Sequence, residues 1–273
     1  MKRIVVCADD YNISPGVSKA IRELIAKGRL NATSVMTIFP GLDEEAGALS
    51  ATPSPAPVQI GLHLTLTGGF APLVSPPMAT ADGKLPNISS LLSPFSRLKV
   101  SRNVVALEIE AQMKAFQRAF GRMPDYVDGH QHCHLMPAIR KTFVETVARL
   151  TPKAWVRQCA PAQKRALLTA DNKTRVIGAL SMAFARLAQR AGLSLNPSFS
   201  GAYSFAGKEK FDDLFPRFIG ELTDRGVVMV HPGFIDDTLR ARDTLVERRE
   251  EEYAFLNSDA FSRAMESADA ILQ

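Results

Sequence analysis

Short apolar, β-branched runs alternate along this chain with longer stretches in which apolar residues recur every three or four positions. The first run, Arg3-Ile4-Val5-Val6-Cys7-Ala8, ends abruptly in Asp9-Asp10. A continuous apolar run of that length suits a strand buried on both faces, as in a parallel sheet. Ser14-Pro15 then supplies an N-cap and a first-turn proline for a helix to about residue 27, with Gly28 as its stop. The same reading places strands at 33–39, 59–66, 126–130, 154–158 and 227–231. Helices fall at 42–49, 103–120, 137–150, 174–191 and 211–225, and over most of 244–273. For the helix at 103–120 the period puts Val104, Leu107, Ala111, Ala115 and Phe116 or Ala119 on the buried face.

Strand and helix alternate almost throughout, with no internal repeat and no clean linker, which predicts an α/β fold with a parallel sheet. About seven βα units favour a closed or nearly closed TIM-like (βα) barrel, as one domain over the whole chain. Residues 67–102 interrupt the alternation, being rich in Pro, Ser and Gly. Loops longer than about 15 residues in compact domains are mostly functional or disordered. This one follows a strand bearing a histidine, so it is expected to be a substrate-covering insertion.

Composition narrows the class. The chain has 273 residues, 46% hydrophobic and 22% charged, as a globular protein does. No apolar run approaches the roughly 18–20 residues that span a bilayer. The opening MKRIVVCADDYN runs into aspartates too early for a signal peptide, so a cytoplasmic protein is expected. The formal charge of +5 is mild, and Arg240, Arg242, Arg248 and Arg249 are interspersed with acids, which reads as a solvated surface and gives no nucleic-acid partner. The three cysteines form no CxxC pair and no disulfide framework. Cys133 reads as packing, and Cys7 is expected to face the barrel wall or the helices.

The position of the polar residues carries the functional reading. Asp9-Asp10, His63, Asp128 with His130, and His231 each fall at the C-terminal end of an expected strand. In a parallel barrel those ends share one rim, where active sites lie. All five histidines fall in these segments: His63, His130, His132, His134 and His231. Two neutral imidazoles and a carboxylate make a three-ligand metal site with an open position, which suits zinc and leaves magnesium open. Successive side chains at Asp9-Asp10 diverge, so one can bind metal while its neighbour serves as general base. Asp128 is expected to project like His130 and to orient an imidazole from an outer shell, or to be a turn aspartate before Gly129. His132 and His134 are further candidates for an outer shell.

The segments ADDYNIS, IGLHLTLT, DGHQHCHLMP and VMVHPGFIDDTL, in that order, resemble the signatures of the YdjC-like carbohydrate deacetylases. The resemblance covers about residues 1–240. It implies a (βα) barrel binding one divalent metal, zinc or magnesium, with Asp10, His63 and His130 in the ligand positions. Asp9 falls on the family's base and His231 on its proton-donating histidine. The implied reaction is hydrolysis of the N-acetyl group of an acetylated amino sugar, such as a chitooligosaccharide or a related glycan or glycolipid. A homodimer is also implied. Tyr11 stands where phenylalanine is usual and Asn12 where glycine is common, and both are expected to reshape the pocket. Trp155, Phe70, Tyr203 and Phe205 are candidates for stacking on sugar faces, or for ordinary packing. Another metal hydrolase on the same barrel, or a catalytically silent sugar-binding protein, are the alternatives.

Overall fold

The computed structural model describes residues 1–74, 82–92, 100–162, 172–205 and 207–273. Its centre is strand β1 (Lys2–Tyr11), buried from Ile4 onward. Around it stand β2 (Ala32–Val35), β3 (Gln59–Leu64), β4 (Tyr126–Gly129), β5 (Trp155–Val156), β6 (Phe199–Ser200) and β7 (Val227–Val230). The sheet order is β5-β4-β3-β2-β1-β7-β6, every pairing parallel. The two ends of this path meet. Val156 N donates to Ser194 O at 2.9 Å and Phe199 N to Ala160 O at 3.1 Å, which brings the curled sheet nearly to closure. The expected α/β barrel of parallel strands is therefore the fold observed.

The helices cover the outside. Helix α1 (Pro15–Ala26) starts as its sequence requires, with the Ser14 side chain accepting from Val17 N and Pro15 in the first turn. There follow α2 (Leu42–Ser50), α3 (Ile88–Leu92), α4 (Arg102–Phe120), α5 (Arg140–Leu150) and α6 (Asn172–Arg190). Helices α7 (Phe211–Gly220), α8 (Asp237–Arg242), α9 (Glu247–Leu256) and α10 (Asp259–Ser267) complete the shell. The tail expected to be helical ends instead in a short strand, β8 (Ala270–Leu272), paired with the start of β1. Among the described residues no helix is long and apolar enough to cross a membrane.

The buried face of α4 is rotated from the expected one. Val105, Ile109, Met113 and Phe116 face inward together with Glu108 and Gln112, while Leu107 is 54% exposed. Apolar period alone misplaces the face because two polar residues on it have structural partners. Glu108 accepts from the backbone of Leu73 and Val74, and Gln112 bonds both backbone groups of Thr65. They tie down the start of the 67–102 stretch, of which 75–81 and 93–99 lie outside the described residues.

The barrel interior is polar. Side chains alternate along a strand, so every second residue points inward. Cys7 and Asp9 of β1, Ser34 of β2, His63 of β3, Tyr126 and Asp128 of β4, and Arg157 after β5 meet there through hydrogen bonds. Cys7 thus faces the interior rather than the wall or the helices, and burial pushes its thiol up to about 12. Gly61, two residues before His63, makes room: a Cβ there would lie 2.3 Å from the Tyr126 ring. Trp155 stacks on the far face of that ring at 4.3 Å and donates to Gln59, at the opposite end from the rim. It is half-buried against the core and does not line the cavity at the rim.

Candidate active site

The two aspartates line one cavity but sit in different clusters, Asp10 with His63 and His130 and Asp9 in the grip of Arg157. The ladder between β1 and β2 slips between Ala8 and Tyr11, and Asp10 adopts φ 67°. A bulge with one left-handed residue re-aims the next side chain, and both Asp9 and Asp10 end 2% exposed. Asn12 is left-handed as well, at φ 72°, which explains how asparagine serves where glycine is common, since asparagine tolerates this region. Its side chain donates to Met36 O, and the Tyr11 hydroxyl donates to Glu45 O. Neither residue lines the cavity described below, so neither reshapes it directly.

Asp10, His63 and His130 converge. One donor atom from each lies within 4.8 Å of the others, a spacing that accommodates a single metal ion. His63 Nε2 stands 3.2 Å and His130 Nδ1 3.0 Å from Asp10 Oδ1. The far nitrogen of His63 is held by Asp128 Oδ1 at 2.7 Å. A carboxylate on the outer nitrogen fixes the ring and leaves the inner one free to ligate. His63 and Asp128 face each other in register across β3 and β4. For that reason the imidazole that Asp128 holds is the one of His63.

The donor set fits a divalent ion: two imidazoles and one carboxylate, with the fourth side open to a cavity. Burial opposes charge on His63, but Asp128, Asp9 and the bonds to Asp10 and Asp128 outweigh it and push the imidazole up to about 10. Burial also opposes charge on Asp10, yet Arg249 and His130 hold its carboxyl well below the usual range.

Two buried arginines flank the aspartates. Arg157 grips Asp9 with both terminal nitrogens, at 2.6 and 2.7 Å, and reaches Asp128 at 2.6 Å. Arg249 bonds Asp10 Oδ2 and Asp243 Oδ2, each at 2.6 Å. Burial raises Asp128, but Arg157 and His63 bring it down to about 2. Sequence reading missed Arg157, although a charge directly after the apolar Trp155-Val156 is the same signal that marked Asp9. Arg249 was assigned to a solvated surface and is instead fully buried. Its run of charged neighbours hides that, because only packing decides which one turns inward.

The remaining histidines separate. Residues 130–135 form a 3₁₀ turn with Gln131 and His132 left-handed, so the segment does not continue as a strand. His132 stays at the cavity, 3.5 Å from Cys159 Sγ. His134 leaves it, bonding Arg157 O between Phe143 and Phe184, and it belongs to no outer shell. His231 reaches the rim from the end of β7, its ring edge-on to Phe205 at 5.4 Å.

Burial lowers His134 and His231 to about 4. Such a group is neutral in the fold but takes a proton once unfolded. Its stability contribution is complete above about pH 6.5 and is lost as pH falls through 4. A His134→Phe variant isolates this. Relative to it, the wild type is expected to lose about 1.4 kcal/mol per pH unit between these limits. Urea unfolding of both proteins at pH 7 and pH 5 checks this, and parallel pH dependence would refute it.

Asp9, Asp10, His63, His130 and His231 all line one cavity of about 570 Å³. Tyr203 and Phe205 line it too, whereas Phe70 packs at its edge, 4.9 Å from Phe39 and 6.1 Å from His130. The far wall is aliphatic: Ile88 and Leu92 of α3, Met136, and Val176, Ile177 and Leu180 of α6.

Comparison with known proteins follows this geometry. Residues 3–267 match the family described as YdjC-like protein. A chitooligosaccharide deacetylase of Enterobacter sp. (strain 638) is 27% identical over 244 residues, spanning 88% of this chain and 84% of its own. A crystal structure from Enterococcus faecalis V583, provisionally described as a cellobiose-phosphate cleavage protein, superimposes with a TM-score of 0.77. Its identity is 22%, over 100% of this chain and 97% of the other, and it shares the fold.

Proposed function

The chain belongs to the YdjC-like protein family, and on that basis we propose that it is a metal-dependent carbohydrate deacetylase hydrolysing the N-acetyl group of an amino sugar. The observation that carries this reading is the convergence of Asp10, His63 and His130 beside Asp9 and His231 in one cavity. The matching chitooligosaccharide deacetylase supports it. A silent binding protein would need no second carboxylate gripped beside the ligand set.

Asp10, His63 and His130 would hold the ion, which when bound supplies Lewis-acid polarisation of the acetyl carbonyl and of water. Arg157 fixes both oxygens of Asp9, so that its free lone pairs face the cavity and accept the proton of the attacking water. The C–N bond breaks only if the departing nitrogen receives a proton. His231, neutral at rest because burial lowers it to about 4, is free to take that proton up and pass it on. The proton removed from water thus ends on the amine, and acetate leaves. The 67–102 stretch would cover the substrate, for its helix α3 contributes Ile88 and Leu92 to the wall.

The lining also bears on the substrate. Among the described residues the carboxylates lining the cavity are Asp9, Asp10 and Asp243. Leu92 and Val176 are 45% and 48% exposed at the aliphatic wall, area that an apolar group would take out of water. An acetylated glycolipid suits this wall better than a run of free sugar rings.

The test is acetate release from N-acetylglucosamine oligomers and from their octyl glycosides, after chelation and refilling with zinc or magnesium. Release restored only by metal supports the reaction, and a lower KM for the octyl glycoside supports the apolar arm. Asp9→Asn should keep its metal and lose about 10²- to 10⁴-fold in kcat. A near-normal rate in that variant excludes Asp9 as the base.

A further inference from the structure

One buried carboxylate contacts His231 from outside the cavity. Strand β7 pairs with β1 only as far as Val230 with Ala8, so the N–H of His231 has no strand to bond. A buried N–H requires a partner, and here it is Glu252, on the inner face of α9 and fully buried. Glu252 Oε2 accepts from His231 N at 2.5 Å, and Oε1 accepts from the Tyr203 hydroxyl at 2.7 Å. Tyr203 packs edge-on against Phe205 at 4.8 Å, and Phe205 in turn against the His231 ring. One carboxylate thus ties down both the backbone of His231 and the aromatic wall that its ring leans on. The ring needs that support, because among the described residues its buried Nδ1 has no hydrogen-bond partner.

We propose that Glu252 is the positioning residue of His231, holding its backbone directly and its imidazole through Tyr203 and Phe205. The inference rests on the proposed role of His231 as proton carrier. Helix α9 then serves both halves of the site from one face, since Arg249, one turn earlier, holds Asp10. A misplacement of about 1 Å in such a group costs on the order of a hundredfold in rate.

The device is sensitive to pH near neutrality. Burial raises the Glu252 carboxyl to about 7, against the bonds from His231 and Tyr203 and the charge of Arg249. The titratable and charged groups facing it are those three and Glu251. From α7, the side chains packed against α9 are the rings of Phe211 and Phe215, on Phe255. Above pH 7 both oxygens accept; below it one carries a proton and can no longer accept along that hydrogen, so one of the two holds weakens.

The test compares Glu252→Ala and Glu252→Gln with the wild type by two readouts. Glutamine keeps a carbonyl acceptor for His231 N–H and an amide NH2 that can donate to the Tyr203 hydroxyl, but it does not titrate. In acetate release, Glu252→Ala should lower kcat about a hundredfold with KM little changed, and Glu252→Gln should recover most of that loss. Independently of activity, the backbone amide resonance of His231 should titrate near pH 7 in the wild type and be flat in Glu252→Gln. Equal kcat in the two variants, a loss confined to KM, or a wild-type amide without that inflection would overturn the assignment. If Glu252→Ala does not fold, the glutamine variant and the amide titration decide. If no substrate releases acetate, the proposed reaction fails, while the amide titration still tests the hold on His231.

Discussion

An Arg157→Met variant is expected to lose about 3–5 kcal/mol of folding stability, the cost of removing one partner from a buried ion pair. The reason is specific to the barrel interior. Arg157 is 0% exposed and neutralises two carboxylates that are equally secluded, Asp9 at 2% and Asp128 at 0%. Methionine fills much the same volume but leaves Asp9 without its arginine and Asp128 with His63 alone, in a region that Ser34, Tyr126 and Cys7 only partly solvate. The loss should shrink on acidification. In the wild type Arg157 and His63 keep the Asp128 carboxyl at about 2 in spite of burial. Without Arg157 burial acts with less opposition, so the variant's native state takes up a proton at higher pH and sheds part of its penalty. Urea denaturation at pH 7.5 and pH 5 measures both effects. Unchanged midpoints would mean that the network contributes nothing to stability and serves the site alone.

Asp10→Ala should abolish stoichiometric retention of a divalent ion, and acetate release with it. Asp128→Ala should only weaken retention, by about 10- to 100-fold, as expected for a group that orients a ligand. The contrast follows from the geometry. Asp10 Oδ1 is the atom both imidazoles approach, at 3.2 and 3.0 Å, whereas Asp128 touches only the outer nitrogen of His63. Asp10→Ala also frees Arg249 of one partner, but Asp243 still holds it, so the fold should survive. Equilibrium dialysis against zinc, followed by metal analysis, separates the two variants without reference to turnover. Retention by Asp10→Ala at the wild-type level would place the ion elsewhere.

The apolar wall, the Glu252 carboxylate beneath His231 and the cluster of Asp10, His63 and His130 all gather around the rim formed by the ends of β1, β3, β4 and β7. This concentration explains why so much was visible early. A residue at the C-terminal end of a parallel strand can be located from the strand alone, so Asp9, Asp10, His63, His130 and His231 stand out by position. The terminus of α1 was equally plain, because Ser14 and Pro15 act through local backbone chemistry.

What the sequence determined by itself was everything governed by short-range periodicity: the alternation of strand and helix, the parallel sheet, and the set of rim residues, to which the family resemblance attached roles. What only the tertiary structure decided were matters of long-range contact. The bulge at Asp10 depends on how β1 pairs with β2, and with it both aspartates come to line the cavity. Register across β3 and β4 decided that the imidazole Asp128 holds is the one of His63. The left-handed pair at Gln131 and His132 sent His134 out of the site. Arg157, Arg249 and Glu252 went unnoticed for one physical reason. A charged side chain is buried only where a partner several strands or helices away compensates it, and no local pattern encodes that partner.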